Sequence, residues 1–397
     1  MTVPPLASAR RPGISRRAMR RTPYGVAAAI TALAVTGLPA APAVATTQAT
    51  VGCTTSALIS AIAQATAGDT LNLARHCTYH LTGAYAGADG LPVIRKRLTI
   101  HGHGATIVRD SVTAGAFRIF HVASGGDLRL DDVTVRGGDS PGDGGGILVE
   151  AGGKLNLEDV TLLDNTAAVR GGGVAVLQGA TGVITRGWFK FNNADSGGGL
   201  QADGTVRADG PEFTRNHARR FGGAIDHDFG DSVFKRTTAT GNTAGLDGGG
   251  VDIDLGTIEF VDSKIRDNTS AGTRGGGIFN GATLKLTSTE VSGNVIGGVG
   301  GRGGGIYNAS GPSTLVLKGS TVERNSANGS GTSQGGGIYN NGGSVTLDHS
   351  TVRGNASTVA PGGVFTVNQF TVIRSTIKDN IPTNCAGSPV IVTGCVD

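Results

Sequence analysis

The sequence lacks an apolar run long enough to cross a membrane as a helix. Its main apolar segment, residues 26–38, has 13 residues, whereas a membrane-spanning helix needs about 20. Six arginines precede this segment and an A-x-A cleavage site follows it, which is the order found in secretory signals. We therefore expect residues 1–45 to be a signal peptide cleaved after Ala45, and the mature protein to be secreted without a membrane span. The segment Ser15-Arg16-Arg17 also fits a loose twin-arginine signal, so the export route stays open.

The mature chain also lacks an excess of positive charge. The first 45 residues contain six of the 34 basic residues and none of the 30 acidic ones. The remaining 28 basic residues against 30 acidic ones give a net charge near −2, although the whole chain has a pI of about 9.0. The charge pattern of a nucleic-acid-binding protein is therefore missing, and we expect no nucleic-acid partner.

Glycine is abundant, with 68 of the 397 residues, and it recurs in triplets among Val, Ile and Leu rather than in a collagen or disorder pattern. Triplets such as those before Val174, Val251 and Ile278 follow one another at intervals of 25 to 32 residues. A second marker, an asparagine, keeps the same period and is found at Asn165, Asn192, Asn216, Asn242, Asn268, Asn294, Asn325, Asn355 and Asn380. Two markers that keep the same period predict a stacked repeat.

Each repeat has the pattern of three short strands. In residues 274–294, Ile278 alternates with polar or glycine neighbours, and so do Leu284, Leu286 and Val291. One such unit cannot bury its apolar face alone, so the units must stack. The sequence therefore predicts an all-β protein, a single-stranded right-handed parallel β-helix of about 10 to 11 coils.

The first part of the mature chain predicts a helix that covers the open end of the solenoid. In residues 55–67, Leu58, Ile62 and Ala65 lie on one helical face, Thr54 or Thr55 can cap the start, and Gly68 ends the helix. The predicted organisation is a signal peptide (1–45), an N-terminal cap with this helix (46–85), a parallel β-helix (86–380) and a disulfide-closed C-terminal segment (381–397).

Four cysteines are present, and none forms a C-x-x-C pair that would favour a metal or redox site. Two lie near the start of the mature chain and two at its end, about ten coils of roughly 4.8 Å apart, which is too far for a disulfide between the ends. We therefore predict the disulfides Cys53–Cys77 and Cys385–Cys395.

Two segments resemble a known repeat family. Phe213-Thr-Arg-Asn216 and Gly222-Gly-Ala-Ile225 match the FxxN and GGA[IL] pair of the chlamydial polymorphic outer membrane protein repeats. Residues 50–397 also resemble secreted right-handed β-helix repeat proteins of actinobacteria, within the pectin-lyase-like fold. The resemblance implies the fold but no activity, because this fold carries lyases, hydrolases, adhesins and scaffolds. No polygalacturonase or pectate-lyase motif is matched in full, so no catalytic residue follows from it.

Acidic residues recur directly after the glycine segments. If Leu200, Ile225 and Val251 point into the solenoid, the residues one and three places later point outward. Five carboxylates then share one exposed face on three adjacent coils, with backbones about 4.8 Å apart between coils. The outward positions hold Gln201, Asp203, Asp226, Asp228, Asp252 and Asp254.

Such crowding of like charge is costly unless something offsets it, and three uses stay open. Paired carboxylates can hydrolyse a glycosidic bond as acid and base or nucleophile. They can also bind Ca²⁺ as a cofactor. The ion would neutralise an acidic sugar, and Arg219 or Arg220 would act as the base. The third interpretation is a solvated acidic face. The candidate catalytic residues are Asp203, Asp226, Asp228, Asp252, Asp254, Arg219 and Arg220, and the candidate calcium ligands are Asp226, Asp228, Asp252 and Asp254.

Aromatic residues take the same outward column in later coils. Phe279, Tyr307 and Tyr339 can stack on sugar rings, and with Gln201 they are the candidate substrate-binding residues. The alternative is a cross-coil aromatic ladder that stabilises the sheet. His101-Gly102-His103 places two histidines on one strand without a third ligand, so an ordinary turn is favoured over a metal site.

The acidic and aromatic columns together predict one elongated groove along residues 200–340. We expect a monomer that binds or cleaves a polysaccharide or cell-surface glycan there, as a glycoside hydrolase or a lyase. The alternative is a surface adhesin or structural scaffold without catalysis.

Overall fold

The computed structural model describes residues 47–110 and 115–397. The predicted signal peptide lies outside the described residues. In the described part, one short helix precedes a parallel β-solenoid of about 11 turns, so the predicted all-β parallel β-helix is confirmed. No helix in residues 47–110 and 115–397 is long and apolar enough to pass through a bilayer.

The helix forms where the sequence predicts it and spans Thr55–Gln64. Thr54 is its N-cap, and the Thr54 side chain accepts a backbone N–H from the first turn at 3.2 Å. Leu58 and Ile62 are buried and pack against the first coils. The helix ends at Gln64, before the predicted end at Gly68, and Ala65 already lies outside helical geometry.

Three parallel sheets run along the solenoid, and the first has 23 strands because each coil contributes two. Its strands are Gln48–Val51, Thr70–Leu73, Thr78–Leu81, Arg97–Arg109, Asp127–Arg136, Lys154–Glu158, Thr161–Leu163, Thr181–Thr185, Trp188–Lys190, Thr205–Asp209, Glu212–Thr214, Asp231–Lys235, Thr238–Thr240, Thr257–Val261, Lys264–Arg266, Thr283–Thr287, Glu290–Ser292, Thr314–Lys318, Thr321–Glu323, Ser344–Asp348, Thr351–Arg353, Phe370–Ile373 and Thr376–Lys378.

The second sheet has nine short strands, and all but the first follow an asparagine of the repeat. They are Asp139–Ser140, Thr166–Ala167, Asn193–Ser196, His217–Phe221, Thr243–Ala244, Thr269–Ser270, Val295–Ile296, Ser326–Ala327 and Ala356–Ser357.

The third sheet has ten strands, most of which follow the glycine triplets, and it carries the candidate site. Its strands are Phe120–Val122, Ile147–Val149, Val174–Val176, Leu200–Ala202, Ile225–His227, Val251–Ile253, Ile278–Asn280, Ile306–Asn308, Ile338–Asn340 and Val364–Thr366.

Residues one repeat apart lie over one another in the solenoid. Ile225 pairs with Val251, and Val251 pairs with Ile278. These three side chains are fully buried in one core that also takes apolar side chains from the first sheet. The apolar columns of the repeat therefore form a continuous interior, as the period predicts.

The repeated asparagines form a buried ladder along the stack. The Asn242 side chain donates to the side-chain oxygen of Asn268 at 2.9 Å and to the backbone oxygen of Phe213 at 3.0 Å. Its own side-chain oxygen accepts from the backbone and side-chain nitrogens of Asn216, each at 2.9 Å. The asparagines that mark the repeat therefore link neighbouring coils through buried hydrogen bonds.

The glycine triplets are required by close backbone approach. Gly248 has a φ of +59°, a backbone conformation that is energetically unfavourable for a residue with a Cβ atom. At Gly249 an added Cβ would lie 2.2 Å from the backbone oxygen of Gly276 in the next coil. The triplet therefore allows each coil to turn tightly against its neighbour.

Both predicted disulfides are present. Cys53 and Cys77 join the N-terminal cap, with Cα atoms 5.7 Å apart. Cys385 and Cys395 close the C-terminal segment, with Cα atoms 6.4 Å apart. Each end of the described solenoid is thus cross-linked within itself.

Candidate functional site

The middle residue of each strand in the third sheet faces away from the core. Ile225 and Val251 are part of the main core, whereas the aromatic residues of the alternate column form a separate cluster. Asp226 and Asp252 are direct register partners in this outward column. In coil order the column is His121, Leu148, Ala175, Gln201, Asp226, Asp252, Phe279, Tyr307, Tyr339 and Phe365.

The prediction that this face is exposed is wrong. Asp226 is 2% exposed and Asp252 is 1% exposed. The residues before the glycine triplets form a second outer column beside the first, and one of them, Arg274, lies over the ring of Phe279 at 4.8 Å. The outward column is therefore the floor of a groove.

We call this surface the acidic groove. Its floor is Gln201, Asp226 and Asp252, and one wall is Asp203, Asp228 and Asp254. The other wall is the column Arg170, Ser196, Phe221, Asp247 and Arg274.

Asp226 and Asp252 form a buried carboxyl pair on the floor. One oxygen of each, Asp226 Oδ1 and Asp252 Oδ2, is buried without a hydrogen-bond partner in the described part of the chain. Burial raises the pKa of both groups well above the usual range, and the charges of neighbouring aspartates, including Asp228 and Asp254, raise it further. Both groups therefore favour the protonated form more than an ordinary aspartate does.

Gln201 joins two wall carboxylates of adjacent coils. Its side-chain nitrogen donates to Asp203 Oδ1 at 2.6 Å and to Asp228 Oδ2 at 3.2 Å. Burial, together with the charges of Asp203 and Asp254, raises the pKa of Asp228 to about 6. Asp228 is only partly buried, so its second oxygen is available to a ligand in the groove.

The other two wall carboxyls differ in exposure. Burial raises the pKa of Asp203, although Gln201 and Arg170 act against this rise. Burial also raises the pKa of Asp254, which is nevertheless the exposed member of the wall. The five carboxylates thus lie on three adjacent coils, but Asp203 is as buried as Asp226 and Asp252, and only Asp228 and Asp254 are accessible.

Two arginines on the opposite wall were missed by the sequence reasoning. Arg170 donates to Asp203 Oδ2 at 2.8 Å and to both oxygens of Asp143 at 3.0 and 2.9 Å. Arg274 donates to Asp247 Oδ2 at 2.5 Å. The signal was present in the repeat alignment, because the residue before each glycine triplet occupies a column of its own.

The arginines predicted from the sequence lie elsewhere. Arg219 donates to Asp195 at 2.8 Å, and Arg220 lies 3.7 Å from the same carboxylate. Their side chains are 74% and 52% exposed. Neither forms an ion pair with the acidic groove among the described residues, so their role as a catalytic base stays a prediction without support from these contacts.

The aromatic column forms a ladder. Phe279, Tyr307, Tyr339 and Phe365 are each less than 8% exposed, and successive rings stack with centroids 4.4 to 5.5 Å apart. Because the ring faces contact one another, these aromatic residues fit a cross-coil ladder that stabilises the sheet better than they fit a surface for stacking on sugars.

A second polar cluster lies at the N-terminal end of the same column. His121 Nδ1 lies 3.0 Å from Asp89 Oδ2, and His121 Nε2 lies 3.1 Å from Glu150 Oε1. Burial acts to lower the pKa of His121, but the hydrogen bond and charge of Asp89 raise it overall, assisted by Glu150. Arg118 donates to the second oxygen of Asp89 at 2.5 Å. This cluster is held by its own ion pairs, although the contact of His121 Nε2 with Glu150 lacks the geometry of a hydrogen bond.

The described residues do not fit a metal ion. Within residues 47–110 and 115–397, no three His, Cys, Asp or Glu side chains are arranged so that they could hold one. Carboxylates suit Ca²⁺ chemically, but the arrangement of Asp226, Asp228, Asp252 and Asp254 gives the calcium hypothesis no support. His101 instead contacts Asp131 at 3.0 Å.

Comparison with known proteins gives no relative from which a function could be transferred. No protein-family model, curated protein or solved structure matches this chain. The resemblance to the chlamydial repeats is thus limited to the short segments that carry it and to the parallel β-helix itself. The chemistry of the groove has to be deduced from its own residues.

The buried pair makes a prediction about stability and pH. Because the folded-state pKa values of Asp226 and Asp252 are raised above the unfolded value near 3.9, the pair favours folding fully below that value and opposes it as the pH rises through the folded-state values. Asp226→Asn removes one charge, so we expect a higher thermal midpoint than wild type at about pH 8 and a small difference at about pH 4.

The matched control is Asp379→Asn, because Asp379 is 72% exposed and lies outside the groove. Its thermal midpoint should follow that of wild type at both pH values. An Asp226→Asn variant that is less stable than wild type at the higher pH would show that the pair is not under electrostatic strain.

Proposed function

We propose that this protein is an extracellular glycoside hydrolase that binds a polysaccharide or cell-surface glycan along the acidic groove. The observation that carries this proposal is the state of Asp228, a partly buried carboxyl between Asp203 and Asp254 whose pKa is raised to about 6. A carboxyl group that keeps its proton close to neutral pH can protonate the leaving oxygen of a glycosidic bond.

Asp254 is the proposed second carboxylate. It follows Asp228 by one coil, because its backbone N–H donates to the oxygen of His227 at 3.0 Å. The backbones of neighbouring coils are about 4.8 Å apart, which allows the roughly 5 to 5.5 Å between the two carboxyl groups of retaining glycosidases. We therefore assign Asp228 as the acid and Asp254 as the nucleophile, with retention of configuration at the sugar.

Asp203, Gln201 and Arg170 are positioning residues in this proposal. Arg170 fixes Asp203 from one side and Gln201 bridges Asp203 to Asp228. A carboxylate held this close to Asp228 favours the protonated form of Asp228. Asp203 therefore favours the proton on Asp228, whereas Gln201 and Arg170 orient the two carboxyl groups and act to lower the pKa of Asp228.

Apolar side chains at the rim supply a surface for sugar rings. Phe229 and Leu255 directly follow Asp228 and Asp254 in the chain, and they are 37% and 53% exposed. The C–H faces of sugars pack well against such side chains. These residues support binding of a glycan better than the buried aromatic ladder does.

The disulfides support an extracellular location. Cys53–Cys77 and Cys385–Cys395 are both formed, and structural disulfides are typical of oxidising compartments. This agrees with the signal peptide proposed for residues 1–45.

A non-catalytic adhesin or scaffold is the second candidate, and the aromatic ladder favours it. Stacked rings from Phe279 to Phe365 and a continuous asparagine ladder stabilise the coils without presenting chemistry. In that case the groove would hold a glycan and leave it intact.

The test is to incubate the mature chain with a panel of plant and microbial glycans and to measure new reducing ends and absorbance from unsaturated products. We expect reducing ends without unsaturated products for at least one glycan, with retention of anomeric configuration. A glycan that is retained but never cut would support the adhesin, and a panel that is neither cut nor retained would contradict both proposals.

A further inference from the structure

The acidic groove carries an excess of negative charge that its own side chains do not neutralise. Among the described residues, Asp226, Asp228, Asp252 and Asp254 form no ion pair with a lysine, arginine or histidine. The nearest arginines are already committed, Arg170 to Asp143 and Asp203, and Arg274 to Asp247. A ligand that enters the groove therefore meets unpaired carboxyl groups.

The floor shows independently that positive charge or a hydrogen-bond donor is missing. The side chains of Asp226 and Asp252 are almost completely buried, with 2% and 1% exposure. Each of them has one carboxyl oxygen without a hydrogen-bond partner among the described residues. A buried acceptor without a donor is costly, and a buried carboxylate without a counter-charge is more so. A cationic group held above the floor would reduce this cost.

We infer that the glycan recognised in the acidic groove is cationic, a polymer of amino sugars that carry free ammonium groups, rather than a neutral or uronic-acid polymer. This inference rests on the proposed function and names its substrate class. Asp254, the exposed carboxylate of the wall, contacts an ammonium group, and the other aspartates of the groove add to its negative potential. A uronic-acid polymer would instead bring more negative charge to the groove.

The layout favours a polymer over a single small cation. Wall carboxylates recur on three successive coils, at Asp203, Asp228 and Asp254, with a spacing of about 4.8 Å that is of the same order as one unit of an extended sugar chain. Exposed Phe229 and Leu255 flank this row. Charged and apolar surfaces therefore run side by side along the groove, so that an amino-sugar chain can place ammonium groups on one and ring faces on the other.

The test is calorimetric titration of the mature chain, at low salt and low temperature, with a β-1,4-linked glucosamine hexamer and its fully N-acetylated counterpart. A galacturonate hexamer, spermine and tetralysine serve as further probes. We expect the glucosamine hexamer to bind at least about tenfold more tightly than the acetylated one, and its affinity to fall steeply with added salt. Asp254→Asn should weaken its binding by about tenfold, and Asp379→Asn should not change it.

Three results would overturn the inference. Equal or tighter binding of the acetylated hexamer or the galacturonate hexamer would show that the groove does not select positive charge. Binding of spermine or tetralysine as tight as that of the glucosamine hexamer would show a general cation site. An Asp254→Asn variant with unchanged affinity would place the bound sugar elsewhere.

The same experiment separates this inference from the proposed function. Hydrolysis of a neutral glycan that depends on Asp228, without selective binding of glucosamine, would refute the substrate class and leave the hydrolase proposal standing. Tight, selective binding of the glucosamine hexamer without cleavage of any glycan would support the substrate class and refute the hydrolase proposal.

Discussion

Asp228→Asn is expected to lower the rate of glycan hydrolysis by about 10² to 10⁴-fold, because the amide cannot donate the proton that the leaving oxygen needs. The measurement is the initial rate on the glycan that the panel identifies. In wild type the rate should fall as the pH rises through about 6, where Asp228 loses its proton. This limb of the pH profile should be absent in the variant.

The control for this prediction is again Asp379→Asn, which should retain the wild-type rate and pH profile. The thermal midpoint of Asp228→Asn should be equal to or above that of wild type, because the change removes one of several repelling charges. A folded Asp228→Asn variant within threefold of the wild-type rate, with the same pH profile, would remove Asp228 from the mechanism.

Asn242→Ala is expected to destabilise the fold by at least about 3 kcal/mol, because each buried polar group left without a partner costs about 1 to 3 kcal/mol. The change removes the acceptor for two nitrogens of Asn216 and the donor to the oxygens of Phe213 and Asn268. Chemical denaturation monitored by circular dichroism measures the difference.

Asn193→Ala is the matched control, since Asn193 directly follows the ladder residue Asn192 but is exposed. Its free energy of unfolding should stay within about 0.5 kcal/mol of wild type. If the Asn242 and Asn193 variants are equally stable, the ladder does not contribute to the stability of the solenoid.

The architecture was predictable because the period of the repeat is visible in single residues. The glycine triplets and the asparagines, such as Asn242 and Asn268, keep the same spacing, and that spacing determines which residues lie over one another. The register of Asp226 with Asp252 and both disulfides follow from it. Stacking turns a pattern along the chain into neighbours in space.

The depth and the charge partners of the site could not be predicted in the same way. Strand alternation shows that Asp226 points out of the core, but it does not show that the residues before the glycine triplets cover that face. For the same reason the sequence placed Arg219 and Arg220 near the carboxylates, whereas Arg170 and Arg274 line the groove. Side-chain direction outside regular strands depends on turns whose geometry a repeat alone does not give.

The central claim is that carboxyl groups from three adjacent coils form one coupled cluster in an outer groove. The most direct test is an NMR titration of the aspartate side-chain carbons in the folded mature chain. The account predicts a midpoint of about 6 for Asp228, and midpoints well above the ordinary aspartate value for Asp226 and Asp252. Midpoints near the ordinary aspartate value of about 3.9 for all three groups would contradict it.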